Sequence, residues 1–149
     1  MELTHLETYP QPEGNDPGSV PAALKALAQA HDESSALEAC DRFLWTVGNN
    51  HAGTFFPIVL AALPQMEQIL IGGGAWSRQA AMEALIDLGG PFVPEQGHET
   101  HLGVPVQETL RLFIRSMRPH ILPLTHASGE LRRSAEDLVE LIDDLADLP

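Results

Sequence analysis

The chain has 149 residues, of which 44% are hydrophobic, 19% are charged and only 5% are aromatic. This composition argues against wholesale disorder, and a core of aliphatic side chains favours packed helices over a β-sandwich. The formal net charge of -13, from 21 acidic and 8 basic residues, repels phosphate backbones and attracts basic proteins. We therefore expect one mainly helical domain that does not bind nucleic acid directly.

The N-terminal segment, residues 1–18, is rich in Pro and Gly and contains four acids and no Lys or Arg. It is predicted to be an extended or mobile acidic arm, followed by a single helical domain over 19–149. The arm lacks the basic and apolar regions of a secretory signal, and no apolar run is long enough to span a bilayer. Cys40 is the only cysteine, so an intrachain disulfide is excluded. We expect a cytoplasmic protein.

Capping residues, helical apolar spacing and Gly or Pro breaks predict six helices in three consecutive pairs. In chain order they cover about 19–31, 35–47, 54–71, 77–88, 106–117 and 128–145. Ser35 and Glu38 have the spacing of a capping box, and Thr54 is the predicted cap of the third helix. Pro64 should kink or split that third helix. The segment 89–103, rich in Gly and Pro, is the longest predicted loop.

Two of these helices repeat one sequence pattern. The repeats are Arg78-x-x-Ala81-x-Glu83-x-Leu85-x-x-Leu88 and Arg132-x-x-Ala135-x-Asp137-x-Val139-x-x-Ile142. Each follows a break that contains Gly, which indicates a helical hairpin used more than once. Stacked hairpins form extended binding surfaces more often than catalytic pockets, and three are about the minimum for a stable stack.

The repeated helices resemble those of HEAT-like α-helical repeat proteins, with the best match in 76–88 and 131–145 and a fair match in 37–47. This resemblance implies an all-α superhelix of about three stacked hairpins. The segment 45–54, followed by Ala62-Leu63-Pro64, is similar to a recurring segment of small bacterial HEAT-like proteins, some of them polymorphic-toxin immunity proteins. This second resemblance implies a binding protein without catalytic residues, metal or other cofactor, whose partner is a cognate toxin.

In HEAT-like stacks the second helix of each hairpin lines the concave face, so outward residues of these helices are the candidate partner-binding residues. They are Glu38, Asp41, Trp45, Glu83, Asp87, Glu136, Glu140, Asp143 and Asp147. Together they predict an acidic groove that occludes a toxin's basic nucleic-acid-binding or nucleotide-binding cleft. The plainer interpretation is that these acids form ordinary solvated helix faces, with Trp45 buried against the third helix.

Two other functions remain open from the sequence. A generic HEAT-like scaffold or adaptor would use the same surfaces without a toxin partner. A metal-dependent hydrolase would use the loop histidines His51, His98 and His101. The spacing of the last two differs from the H-E-x-x-H metalloprotease motif, so a surface role for them is favoured.

The remaining candidate residues are more readily explained by structure. Cys40 lies on the apolar stripe of the second helix, together with Leu37, and is predicted to be an inert core thiol. Arg111, Arg115 and Arg118 form a basic stripe that is suited to phosphate. Because the next helix is acidic, ion pairing within the protein or solvation is favoured over nucleic-acid binding, and no membrane partner is expected.

Overall fold

The computed structural model describes residues 6–147, and this part of the chain is mostly helical. The all-α class is therefore confirmed. The helices are α1 (Ser19–Gln29), α2 (Glu33–Val47), α3 (Val59–Gly72), α4 (Ala75–Gly89), α5 (Val106–Ser116), α6 (Arg118–Ile121) and α7 (Gly129–Ala146), with 3-10 turns at Leu6–Thr8 and Leu122–His126. Short strands lie between the helices: β1 (Gly48–Asn49), β2 (Thr54–Phe55), β3 (Val93–Pro94), β4 (Thr100–His101) and β5 (Val104–Pro105).

The helices pack so that α4 is enclosed by its neighbours. Helices α2 and α7 both pack against α4, while α1, α3 and α5 contact one another in that order. In addition, α1 packs against α2, α3 packs against α4, and α5 packs against α7. Small side chains on α4, including Ala80, Ala81 and Ala84, are fully buried and let these neighbours approach closely. Only a narrow stripe of α4 therefore remains accessible.

The repeated pattern marks core positions in both helices. Ala81, Leu85 and Leu88 of α4 are buried, as are Ala135 and Ile142 at the matching positions of α7. Fully burying an aliphatic side chain of this size stabilises a fold by roughly 1.5–3 kcal/mol. The small and aliphatic positions of the pattern are therefore explained by packing.

Helix α2 begins two residues earlier than the sequence predicted, and its capping box is formed by different residues. The Ser35 amide donates to Asp32 Oδ1 at 2.7 Å, while the Asp32 amide donates to Ser35 Oγ at 3.1 Å. Hydrogen bonds that the Ser35 backbone and side chain donate to the Asp32 carboxylate lower its pKa. The predicted box of Ser35 with Glu38 is wrong, because an aspartate three residues before Ser35 is also well placed to accept from its amide.

The segment before α3 is a strand rather than a helix turn, so Thr54 does not cap a helix. Strand β2 pairs antiparallel with β1, where Gly48 lies opposite Phe55, and parallel with β3. Helix α3 starts at Val59 and continues through Pro64, so a split at this proline is wrong. Pro64 is exposed, and water can hydrate the Leu60 carbonyl that loses its partner there.

The predicted loop 89–103 contains β3 and most of a tight hairpin formed by β4 and β5. Its turn residues Leu102 and Gly103 have φ values of 51° and 79°. Positive φ at both central residues matches the twist of a two-residue hairpin. Strand β3, by pairing with β2, ties the connection after α4 to the connection before α3.

The part of the N-terminal arm that the structure describes lies against the helices. The ring of Tyr9 stacks on His101 at 4.6 Å, and the Ile58 amide donates to the Pro10 carbonyl at 3.1 Å. Farther along, Asn15 Nδ2 donates to the Thr46 carbonyl at 2.8 Å. These contacts attach the arm to the β4–β5 hairpin, to the last turn of α2 and to the connection between α2 and α3. Across residues 6–147, no helix has the length and apolar character needed to cross a membrane.

Candidate functional site

The accessible stripe of α4 forms the floor of a pocket of about 240 Å³, which we name the α4 groove. Trp76, Gln79, Glu83 and Asp87 line this floor at positions i, i+3, i+7 and i+11, which place them on one helix face. The remaining lining residues come from the flanking helices: Glu33, Ala36, Leu37 and Cys40 of α2, and Glu130 of α7. The floor is rigid because α4 is packed on its other sides.

The α4 groove continues into a neighbouring pocket of about 270 Å³ at the start of α7. Trp76, Gln79 and Glu130 line both pockets, so the indole lies where the two meet. The residues that line the second pocket alone are Ala75, Ala127, Ser128, Gly129 and Leu131. The combined space can hold one or two side chains of a partner.

Carboxylates in the α4 groove are held in an unfavourable environment. Partial burial raises the pKa of Glu83, a hydrogen bond from Ser134 opposes that rise, and the charges of Asp87, Asp137 and Glu130 add to it. Partial burial also raises the pKa of Asp87. Both effects follow from removing a charged group from water, and like charges add to the effect at Glu83. A cation bound in the groove would stabilise the ionised forms of both carboxylates.

Cys40 lies at the base of the α4 groove and is only 8% exposed. Burial raises its thiol pKa to about 12, and the negative charges of Asp87, Glu83 and Asp41 contribute in the same direction. A thiol with this pKa is almost entirely protonated at neutral pH, and the thiolate is the reactive form. The prediction that Cys40 is a core thiol is confirmed.

Few positive charges lie near the carboxylates of the α4 groove. No Lys or Arg lines the groove in the described part of the chain, and Arg133 forms an ion pair with Glu130 at its edge. Within residues 6–147, no ion pair is formed by Glu33, Glu83 or Asp87. The groove therefore keeps an excess of negative charge that a bound cation would neutralise.

Of the predicted binding residues, Glu83 and Asp87 line the α4 groove, whereas those of α2 do not. Glu38 lines a separate pocket between α1 and α2 together with His31. Asp41 accepts a hydrogen bond from Asn50 at 2.7 Å. Trp45 is 47% exposed, so the alternative that it is buried against the third helix is wrong.

The predicted acids of α7 also lie outside the groove lining; they are Glu136, Glu140, Asp143 and Asp147. Two of them already have partners, since Glu136 pairs with Arg132 at 3.5 Å and Asp143 pairs with Arg118 at 3.0 Å. The other two are exposed. The acids that the sequence predicted on α2 and α7 thus do not share one groove with Glu83 and Asp87.

Helix geometry explains the separation on α7. Ser134, whose hydroxyl accepts from Gln79 Nε2 at 3.1 Å, and Asp137, whose charge acts on Glu83, mark the side of α7 that faces α4. Glu136 lies about 100° around the helix axis from Asp137, because an α-helix has about 3.6 residues per turn. The stripe that begins at Glu136 therefore points away from the groove.

Several groove residues were missed by the sequence analysis. Leu37 was assigned to the apolar core stripe, which is wrong, because it is 72% exposed at the edge of the groove. Trp76 and Gln79 could have been recognised from their spacing with Glu83 and Asp87. Nothing in the local sequence of α2 or α7 singles out Glu33 or Glu130, since their role depends on how the helices pack.

The histidines of the hydrolase hypothesis are not gathered into a metal site. The His98 ring lies 5.0 Å from that of Phe56, His101 stacks on Tyr9, and His51 is exposed. Among the residues that the structure describes, no group of three His, Cys, Asp or Glu side chains could hold a metal ion. The His98 and His101 rings instead contact aromatic neighbours.

The basic stripe of α5 is partly used within the protein. Arg118, which begins α6, forms its ion pair with Asp143 of α7, as the sequence analysis expected. Arg115 is exposed and Arg111 is half-buried. The stripe therefore offers fewer free cations than its spacing suggested.

No protein-family model, curated protein or solved structure matches the chain. The similarity to HEAT-like repeats and to immunity proteins stays a prediction from the sequence motifs. The geometry of the α4 groove is the basis for assigning a function.

Proposed function

We propose that this chain is a protein-binding module with a HEAT-like stack of three helical hairpins, and that it acts as a cytoplasmic immunity protein. Its partner is a bacterial toxin with a basic nucleic-acid-binding or nucleotide-binding cleft, which the protein covers. The observation that carries this proposal is the α4 groove, where the half-buried Glu83 and Asp87 share one helix face with Trp76 and no Lys or Arg of the described residues lines the groove.

The contacts between helices support the hairpin stack. Pairs α1 with α2, α3 with α4, and α5 with α7 each pack together, and successive pairs contact through corresponding helices. The central position of α4 in this packing gives the groove a fixed shape before a partner arrives. Preorganised sites of this kind bind with a smaller loss of conformational entropy.

Recognition would centre on an Arg or Lys side chain of the partner. One cation would lie between the Glu83 and Asp87 carboxylates. A second cationic side chain of the partner would rest on the Trp76 indole, which lies on the same face of α4 about 10 Å along the helix axis from Glu83. A cation over an indole contributes about 0.5–2 kcal/mol, and charge-assisted hydrogen bonds to partly desolvated carboxylates add roughly 1.5–3 kcal/mol each. The half-buried carboxylates make this site more favourable for a cation than a fully solvated acidic face.

The surroundings of the groove suit the edge of such an interface. Leu37 is exposed at the edge of the groove and provides apolar surface next to the charged centre, while Trp45 is exposed farther along α2. A stable complex buries roughly 800 Å² on each partner, so the groove would be its anchor rather than its whole area. The acids of α7 outside the groove would then steer a basic partner during its approach.

The first experiment is co-expression with the product of the neighbouring gene, followed by purification through a tag on that product. We expect a stoichiometric complex that inhibits the toxin and is disrupted by Glu83→Lys. Glu67→Lys is the matched control, because Glu67 is an exposed acid on α3. Absence of a complex would contradict the immunity function, while binding to a basic protein without toxin activity would favour a scaffold role.

A further inference from the structure

A second cavity, of about 780 Å³, lies between α1, α3 and the N-terminal arm. It shares no lining residue with the α4 groove, so the two sites are distinct. Its volume falls in the range of pockets that hold small molecules, roughly 300–1,000 Å³. This cavity is not used by the proposed function.

Three separate segments build its walls. Pro21, Lys25 and Ala28 come from one stripe of α1, at i, i+4 and i+7. Helix α3 contributes Gln65 and Gln68 together with Ile69, and the arm covers the side with Leu6 and Pro17. The lining is therefore mainly apolar, with a few polar groups, which is the usual composition of a small-molecule site.

The charge of this cavity is opposite to that of the rest of the protein. Lys25 is the only lysine in a chain with a net charge of -13. No Asp or Glu lines the cavity within the part of the chain that the structure describes. An anion placed there would meet one ammonium group and two amides and would avoid contact with a carboxylate.

We propose that the cavity binds a small amphipathic carboxylate, meaning a free carboxylate group attached to an aliphatic body. The Lys25 ammonium pairs with the carboxylate, and the amides of Gln65 and Gln68 are additional hydrogen-bond donors. The aliphatic body packs against Leu6 and Ile69, which removes apolar surface from water. Gly72 leaves room at one wall, because a Cβ atom there would contact nothing within 4 Å.

Octanoate is a suitable probe, with octylammonium and octanol as controls of the same chain length. The global charge of the protein predicts preference for octylammonium, whereas the cavity predicts preference for octanoate. Isothermal titration below the micelle-forming concentration should therefore show saturable binding of octanoate and weaker or no binding of the two controls. Equal or tighter binding of octylammonium, or no saturable binding of octanoate, would overturn the proposal.

Variants test the placement of the ligand. Lys25→Gln should weaken octanoate binding about tenfold, the loss expected for one charge-assisted hydrogen bond near solvent, while Lys25→Arg should retain it. Gly72→Leu should also weaken binding by filling the cavity. Arg42→Gln is the matched control, since Arg42 is an exposed cation that does not line this cavity.

Hydrogen exchange shows where the ligand binds, which a titration does not. Because Leu6 and Pro17 belong to the arm, bound octanoate should slow amide exchange in the arm and at the facing turns of α1 and α3. The α4 stripe should be unaffected. Retained affinity in Lys25→Gln, or protection of α4 instead of the arm, would overturn the assignment.

Discussion

Replacing Glu83 with Gln should stabilise the isolated protein, even though it removes a residue of the proposed binding site. Glu83 and Asp87 are like charges at i and i+4, an arrangement that destabilises a helix by about 0.2–0.5 kcal/mol. The charges of Asp137 and Glu130 act on Glu83 in the same direction. If they contribute similarly, the variant gains about 0.5–1 kcal/mol, or roughly 1–4 °C in Tm for a domain of this size.

The pH dependence of this gain has a defined sign. Because the pKa of Glu83 is raised on folding, the folded state binds the proton more tightly than the unfolded state does. Protonation of Glu83 therefore increases the free energy of unfolding of the wild-type protein as the pH falls through the raised pKa toward the ordinary pKa of a glutamate. The advantage of Glu83→Gln should be largest at neutral pH and should shrink as the pH is lowered through that range.

Thermal unfolding followed by circular dichroism, at several pH values and at low salt, measures both effects. Glu67→Gln is the matched control, because Glu67 is exposed on α3 and has no acid at i±3 or i±4, so its Tm should be unchanged. A lower Tm for Glu83→Gln at neutral pH, or a gain that does not depend on pH, would refute the reasoning that Glu83 is electrostatically strained.

Three further predictions concern the scaffold. Gly48→Ala should lower the free energy of unfolding, measured with denaturant, by about 3 kcal/mol, because a Cβ atom at Gly48 would lie 2.0 Å from the Thr54 carbonyl oxygen. Gly72→Ala is the control and should not destabilise the protein, because a Cβ atom at Gly72 would have no atom within 4 Å. Cys40 should react with a thiol reagent in the native state far more slowly than in denaturant, and equal rates would contradict its burial and its pKa of about 12. Asp143→Asn should cost no more than about 1 kcal/mol, with the loss disappearing at high salt, since its ion pair with Arg118 is exposed.

The sequence predicted the helices well because their signals are local. The stripe of Leu110 and Ile114 on α5, and that of Leu138 and Ile142 on α7, depend only on helical periodicity, and these residues are buried. The strands were missed, because two-residue strands such as β2 are defined by pairing with distant segments. Leu37 was misassigned for a related reason: its spacing fits a core stripe, but α2 turns that position toward the edge of the groove.

The candidate site was predicted only in part. Glu83, which belongs to the repeated pattern, and Asp87, four residues later on the same helix, were both predicted, and they line the groove. Their predicted grouping with the outer acids of α7 is wrong, because the sequence alone does not show which side of α7 faces α4. The Ser134 hydroxyl, which contacts Gln79, reveals that side, and this contact spans 55 residues of sequence. Long-range packing of this kind is beyond the reach of local patterns.

The most direct test of the central claim compares two charge-matched double variants in binding to the purified toxin. One carries Glu83→Lys and Asp87→Lys in the α4 groove, and the other carries Glu136→Lys and Glu140→Lys on the outer side of α7. Isothermal titration should show that the groove variant loses at least about a hundredfold in affinity, as expected for unpaired charge at a buried contact, and that the outer variant loses only a few-fold. Equal losses, or a larger loss for the outer variant, would contradict the account.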